Sequence, residues 1–276
     1  AGLTAACLTL QGRETSWLPL ATTMLFVFSM HLLNRIQERS GAVRFNTPEI
    51  AQFYVRHRLL LTSLGTVCAV LALVLSYEMG GYACALLAGM IALALTITCM
   101  LHFAPILYAS RFGQLKWRSL SDLPGAKTPL VAMGWAVSAA VLPVIGGPHP
   151  IDPAALAVAI LFSGGMVFWR SALSDLLDIQ GDRIAGRATI PIMTGVKQTG
   201  RLLTALLIAL GLLILASVVR GVIPPAGLLL LGNVCLFGAF YVVYRKHHLL
   251  DRLFIEGTMD GNLFLTGIIS VLYAMR

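Results

Sequence analysis

Long runs of apolar residues, separated by shorter polar stretches, divide this chain into blocks of similar length. A helix needs about 20 residues to cross about 30 Å of hydrocarbon. Runs of that length fall at 17–36, 59–77, 81–101, 128–146, 153–175, 199–219, 224–244 and 254–275. They predict eight membrane-crossing helices. A further apolar stretch, Ala1 to Leu10, is too short to span and reads as the end of a helix whose beginning precedes Ala1. Gly80-Gly81, Gly146-Gly147-Pro148 and Pro224-Pro225 punctuate the tight connections.

The connections alternate in length. Those at 37–58, 102–127, 176–198 and 245–253 are long, and those at 11–16, 78–80, 147–152 and 220–223 are short. Of the 20 Lys and Arg residues, 17 lie in the long loops or at the adjoining helix ends, against Arg13, Arg220 and Arg276 opposite. Basic loops stay on the cytoplasmic side, so the long loops are expected in the cytoplasm. Nine of the twelve acidic residues lie there too: Glu38, Glu49, Asp122, Asp175, Asp178, Asp182, Asp251, Glu256 and Asp260. Both signs of charge therefore gather at one face.

Composition agrees with this division. The chain is 58% hydrophobic and 12% charged, with mean hydropathy +0.83, more apolar surface than a soluble domain can cover. The net charge of +8 reads as an orientation signal and an attraction for anionic headgroups or phosphates. It does not indicate nucleic-acid binding. Cys68, Cys84, Cys99 and Cys235 sit inside apolar segments without CxxC spacing and read as packing residues. His57, His102 and His149 lack ligand spacing beside Cys or Glu, which argues against zinc. No P-loop, GxGxxG or GxSxG pattern stands in a suitable context.

Asp175, Asp178 and Asp182 are the candidate chemistry. They follow the apolar run from Pro153 to Trp169 at spacing i, i+3, i+7, so a continuing helix puts all three on one face. Converging carboxylates repel one another unless a cation joins them. Hard oxygen ligands suit Mg²⁺, which is often held by one or two carboxylates together with substrate phosphates.

Read from Ser174 to Pro191, the stretch resembles the second aspartate-rich motif of the UbiA superfamily of intramembrane prenyltransferases, DxxDxxxD followed by GxxTxP. Asp175, Asp178, Asp182, Gly186, Thr189 and Pro191 fill that pattern. Arg183 and Arg187, four apart, are placed to face phosphate oxygens. The family's first motif, NDxxDxxxD, is degenerate at Asn34 to Ala42: Asn34 is kept, Glu38 replaces one Asp, and Arg35 and Ala42 stand at other acidic positions. Asn34 and Glu38, i and i+4, keep one ligand pair. Arg35 or Arg39 would then contact phosphate in place of an ion. A third resemblance is Leu120 to Trp135, similar to the family loop in which a Lys follows a Pro-Gly turn. Carried over, Lys127 is a donor to diphosphate, and Pro105, Tyr108 and Arg111 fit the end of the preceding helix. Glu256 and Asp260 on the last helix are expected to pair with Arg170 or Arg245, or to line the acceptor side of the cavity.

The resemblance implies an all-α, polytopic bundle of nine helices with the first truncated, forming a single domain over 1–276. It implies transfer of a prenyl group from an isoprenoid diphosphate to an aromatic or lipid acceptor, by Mg²⁺-assisted ionisation. Asp175, Asp178, Asp182, Asn34 and Glu38 would hold the metal. Lys127 would act with the three aspartates in catalysis, and Arg35, Arg39, Arg183, Arg187 and Tyr108 would bind substrate. Membrane lipids are the expected surroundings, in a bacterial inner membrane with the site facing the cytoplasm. Two alternatives stand beside it: a non-catalytic prenyl-diphosphate-binding member of the family, and a secondary transporter or lipid-binding membrane protein.

Overall fold

The structure, a computed structural model, describes residues 1–37, 48–103, 106–109, 115–118, 125, 127–147, 149–184, 186–246 and 252–274. Among these, α1 spans Gly2–Leu10, α2 Trp17–Gln37, α3 Pro48–Arg56, α4 Arg58–Met79 and α5 Gly81–Phe103. A short antiparallel hairpin follows, β1 Ile106–Ala109 paired with β2 Leu115–Arg118. Then come α6 Lys127–Ala136, α7 Pro153–Leu177, α8 Ile179–Ile184, α9 Ile190–Thr194, α10 Val196–Val219, α11 Leu229–Lys246 and α12 Arg252–Ala274. Apart from the hairpin this is the helical bundle expected, and the apolar runs become helices almost where they were drawn.

Among the described residues, five helices are long and apolar enough to cross a membrane: Trp17–Ile36, Arg58–Met79, Pro153–Leu177, Val196–Val219 and Pro225–Arg245. The other predicted spans depart for visible reasons. Helix α12 opens with Arg252, Glu256 and Asp260, and the apolar part of α5, Gly81–Thr96, is shorter among the described residues. Helix α6 stops at Ala136 and gives way to a π-helical turn, Val137–Val141, in which the Leu142 N–H reaches back to the Val137 carbonyl. Backbone that leaves the α ladder at membrane depth must find other partners. Thr23 on α2 donates to the Ser138 carbonyl, and Gln11, just past α1, donates to the Ala140 carbonyl.

Among the described residues two buried clusters hold the bundle. The larger joins α1, α6, α7, α10, α11 and α12 around Phe162, Met166, Trp169, Leu203, Phe237 and Met259. The smaller packs α2, α4 and α5 around Phe26, Ala72, Ala83 and Leu87, with Leu142 beyond the π turn. The short connections meet one another: Arg13 donates to the His149 and Pro150 carbonyls, Gly12 lies against Pro224, and Gly146 presses on the Met79 carbonyl. These short connections therefore share one end of the bundle.

Helices α1 and α12 cross at glycines. A Cβ on Gly267 would stand 2.4 Å from the Gly2 Cα, and one on Gly2 would stand 2.5 Å from the Leu263 carbonyl oxygen. With no room for a methyl group, the backbones must separate if one is added. Gly267→Ala is therefore expected to lower the thermal midpoint in detergent by several degrees, an overpacking cost of about 1–3 kcal/mol. Gly261, on the same helix, has nothing within 4 Å of an added Cβ, so Gly261→Ala should leave the midpoint unchanged or raise it. Equal effects in the two variants would contradict this crossing.

Candidate functional site

At its N-terminus α7 is fixed by Asp152, whose side chain accepts from the Ala154 and Ala155 N–H groups, with Pro153 at the first helical position. The apolar face of α7 then enters the large core and sets the rotation of everything that follows. Asp178 closes the helix, yet the chain keeps a nearly helical course. The Asp178 N–H donates to the Ser174 carbonyl, and the Asp182 N–H donates to the Asp178 carbonyl. The i, i+3, i+7 spacing thus survives the break between α7 and α8. Asp175 and Asp178 are partly buried and Asp182 is only 3% exposed.

The start of α6 is brought to this end of α7. The Thr128 hydroxyl donates to Asp175 Oδ2 at 2.6 Å, and Thr128 itself is buried. Lys127, exposed, is the residue before it. Close helix packing makes the approach possible, because a Cβ on Gly164 of α7 would already stand 3.3 Å from that of Ala136 on α6. A second tie joins the two long loops: the Gly125 N–H donates to the Ala188 carbonyl at 2.7 Å. Gly125 has φ +67°, a left-handed conformation natural to glycine, and lies against Ile190 and Met193 of α9. Past α8 the chain turns at Gly186, φ +70°, and the Arg187 N–H donates to the Asp182 carbonyl. That turn leaves Arg187 Nη1 3.8 Å from Asp182 Oδ1.

Burial pushes the Asp182 carboxyl up to about 6. The Arg187 charge opposes that rise, Asp178 and Asp175 add to it, and Lys127 opposes it more weakly. Three carboxylates and two cations therefore share one electrostatic environment.

Of the residues predicted for the site, the structure gathers Asp175, Asp178, Asp182, Lys127 and Arg187. Arg183 is exposed on α8, and Asn34 and Arg35 are exposed at the end of α2, a helix that packs chiefly on α4. Glu38, Arg39, Pro105 and Arg111 lie outside the described residues, and of Tyr108 only the backbone, opposite Lys116 in the hairpin, is described. Asp260 pairs with Arg170 through two hydrogen bonds, so of the two partners expected for it, Arg170 is the one engaged. Thr128 is the contact the sequence did not announce. Its only signal was its place beside Lys127.

Among the described residues no three His, Cys, Asp or Glu side chains form a ready metal cage. Mg²⁺ characteristically keeps several waters and takes one or two carboxylates plus substrate phosphates. Asp175 and Asp178, hard oxygen donors one helical turn apart beside the cations Lys127 and Arg187, fit that mode of binding a metal with its diphosphate.

A helical bundle buried in the bilayer, with acidic and basic side chains collected at one end, defines the class: an integral membrane protein with a polar site at its edge. Residues 123–265, just over half of the chain, match the family described as the UbiA prenyltransferase family, and the chain belongs to it. No curated protein matches the chain. A solved structure described as a UbiA homolog from Archaeoglobus fulgidus bound to GPP and Mg²⁺ is similar with TM-score 0.55 and 13% identity, over 99% of this chain and 95% of that one. A structure of digeranylgeranylglyceryl phosphate synthase is similar with TM-score 0.53 and 18% identity, over 99% and 90%. At these identities the likeness is one of fold.

The Asp182 environment gives a pH dependence. A carboxyl that ionises near 6 in the fold, against an ordinary 3.8, holds its proton more tightly folded than unfolded. Its contribution to stability is full below about pH 4 and is lost as pH rises through about 6. The two-unit difference sets a ceiling of about 3 kcal/mol. Asp182→Asn removes that titration, so the fall in thermal midpoint between pH 4.5 and 7, measured with a chelator present, should be smaller in the variant. Parallel curves for the two proteins would show that Asp182 is not buried at this cost.

Proposed function

We propose that this member of the family transfers a prenyl group from an isoprenoid diphosphate to an aromatic or lipid acceptor at the charged end of the bundle. The meeting of Lys127 and Thr128 on α6 with Asp175 on α7, beside Asp182 and Arg187, carries the reading. Asp175, Asp178 and Asp182, with Asn34 and Glu38, are assigned to Mg²⁺. The ion, when bound, supplies Lewis-acid neutralisation of the diphosphate charge.

The chain's own groups do the rest. Lys127 donates to the diphosphate as a point charge, and negative charge developing on the departing diphosphate is stabilised there more than in the ground state. Arg187 and Arg183 extend that positive field along the second motif, and Arg35, Arg39 and Tyr108 are assigned to the same substrate. Loss of diphosphate leaves an allylic carbocation. Apolar helices exclude water from it, so that a carbon or oxygen nucleophile of the acceptor captures it instead. The acceptor proton then leaves to solvent or to the diphosphate. The excess of Lys and Arg in the long loops supports a site facing the cytoplasm, and the bilayer proposed is a bacterial inner membrane. The whole of 1–276 acts as one domain in this reading. Membership of the family favours neither a transporter nor a purely lipid-binding role.

Membranes carrying the protein, supplied with radiolabelled prenyl diphosphates, Mg²⁺ and a panel of acceptors, provide the test. Asp178→Ala should abolish label transfer without changing the thermal midpoint. Lys127→Gln should lower kcat/KM for the diphosphate about tenfold, with the loss falling at least partly on kcat, because one charge-assisted hydrogen bond that strengthens as the diphosphate departs is gone. Unchanged turnover in Asp178→Ala would remove the metal-site assignment.

A further inference from the structure

Thr128 is the one neutral side chain that hydrogen-bonds to the acidic motif from another helix among the contacts described above. It occupies the second position of α6, is 4% exposed, and gives its hydroxyl proton to Asp175 Oδ2 at 2.6 Å. Within a helix a threonine hydroxyl ordinarily turns to nearby backbone, as Thr22, Thr62 and Thr258 do by donating to the carbonyl four residues earlier in their own helices; at the second position of α6 no such carbonyl exists within the helix. Thr128 instead crosses to α7. The bond fixes the rotation of a carboxylate that sits where a helix is about to end, the place where a side chain is least held by its own turn. A carboxylate with one oxygen held has the direction of its other oxygen set as well. Groups standing behind metal ligands act in this way, and their loss commonly lowers metal affinity about 10–100-fold while leaving the fold in place.

We propose that Thr128 is a positioning residue for the metal–diphosphate site: it orients Asp175 for the ion and couples the α6 loop, with Lys127, to the second acidic motif. The proposal rests on the assignment of Asp175 and Asp178 to a metal held with diphosphate. It adds a specific demand, that a hydroxyl and not merely a side chain of that size stands at 128. Thr128→Val keeps shape and removes the donor; Thr128→Ser keeps the donor and removes a methyl.

The test is a titration of the full-length protein in detergent with Mn²⁺ and inorganic pyrophosphate, bound Mn²⁺ being read by its electron paramagnetic resonance. No prenyl transfer is needed. Thr128→Val should weaken Mn²⁺ binding about tenfold. Thr128→Ser should stay within about twofold of the parent, and the midpoints measured without ions should differ little. Should Thr128→Val fail to fold, Thr128→Ala, which also lacks the donor, is read in its place. Parent-like Mn²⁺ binding in the donor-less variant, or equal weakening in the Ser variant, overturns the proposal. Asp178→Ala separates the two levels. If it abolishes Mn²⁺ binding while Thr128→Val does not, only the role of Thr128 falls. If Asp178→Ala also binds as the parent does, the metal assignment falls with it.

Discussion

A carboxylate at the edge of a bilayer loses water and gains the repulsion of its neighbours, and it is tenable only where donors and cations replace what it gave up. The end of α7 is built around that constraint. Asp175 takes the Thr128 hydroxyl, and Asp182 lies against Arg187, with Lys127 acting on it through space. These compensations come from the start of α6 and the stretch after α8. The two long loops must therefore meet, and the Gly125–Ala188 bond records that they do. Even with these partners Asp182 keeps a raised affinity for its proton. A site that leaves part of the cost of burial, and of the repulsion added to it, uncompensated is one that still gains by receiving a divalent ion with its phosphate ligand.

The same demand for satisfied polar groups shapes the apolar part of the bundle. Where α6 changes to a π turn, Thr23 and Gln11 take up the carbonyls of Ser138 and Ala140. Between α11 and α12, Asn233 donates to Asn262 and Thr266, and Asn262 returns a bond to the Asn233 carbonyl. Between α7 and α12 the Arg170–Asp260 pair joins two helices that touch little elsewhere. Lipid offers no competing water, so such pairs specify which helices sit side by side where apolar packing alone would not. They help to set how α7 and α12 sit beside their neighbours and, through α7, where the acidic residues at its end stand.

The spans were legible because apolar length in a bilayer leaves little choice. The apolar run 17–36 is the helix Trp17–Gln37, and 153–175 is Pro153–Leu177. The acidic face was legible from spacing alone, since a break at Asp178 that keeps the Asp182-to-Asp178 backbone bond does not disturb it. Lys127 was different, for only the family resemblance pointed to it. Thr128 was hidden because its partner is 47 residues away and no local pattern encodes a contact between helices. The π turn was hidden too, because 128–146 is one apolar run with nothing at Val137 to mark a change of winding. Helix α3 had a readable signature, Pro48 at its start, Glu49 in its first turn and Arg56 in its last, but its length of nine residues kept it inside a loop by the criterion of span. The hairpin in the loop 102–127 carried no such alternation.

If metal and diphosphate are bound jointly by the end of α7 and the start of α6, neither alone should hold the protein as the two together do. The most direct measurement is the thermal midpoint of the purified protein with a prenyl diphosphate, with Mg²⁺, with both, and with both plus a chelator. A rise of several degrees is expected only when both are present, reversed by the chelator. The same rise from the prenyl diphosphate with the chelator present would contradict it.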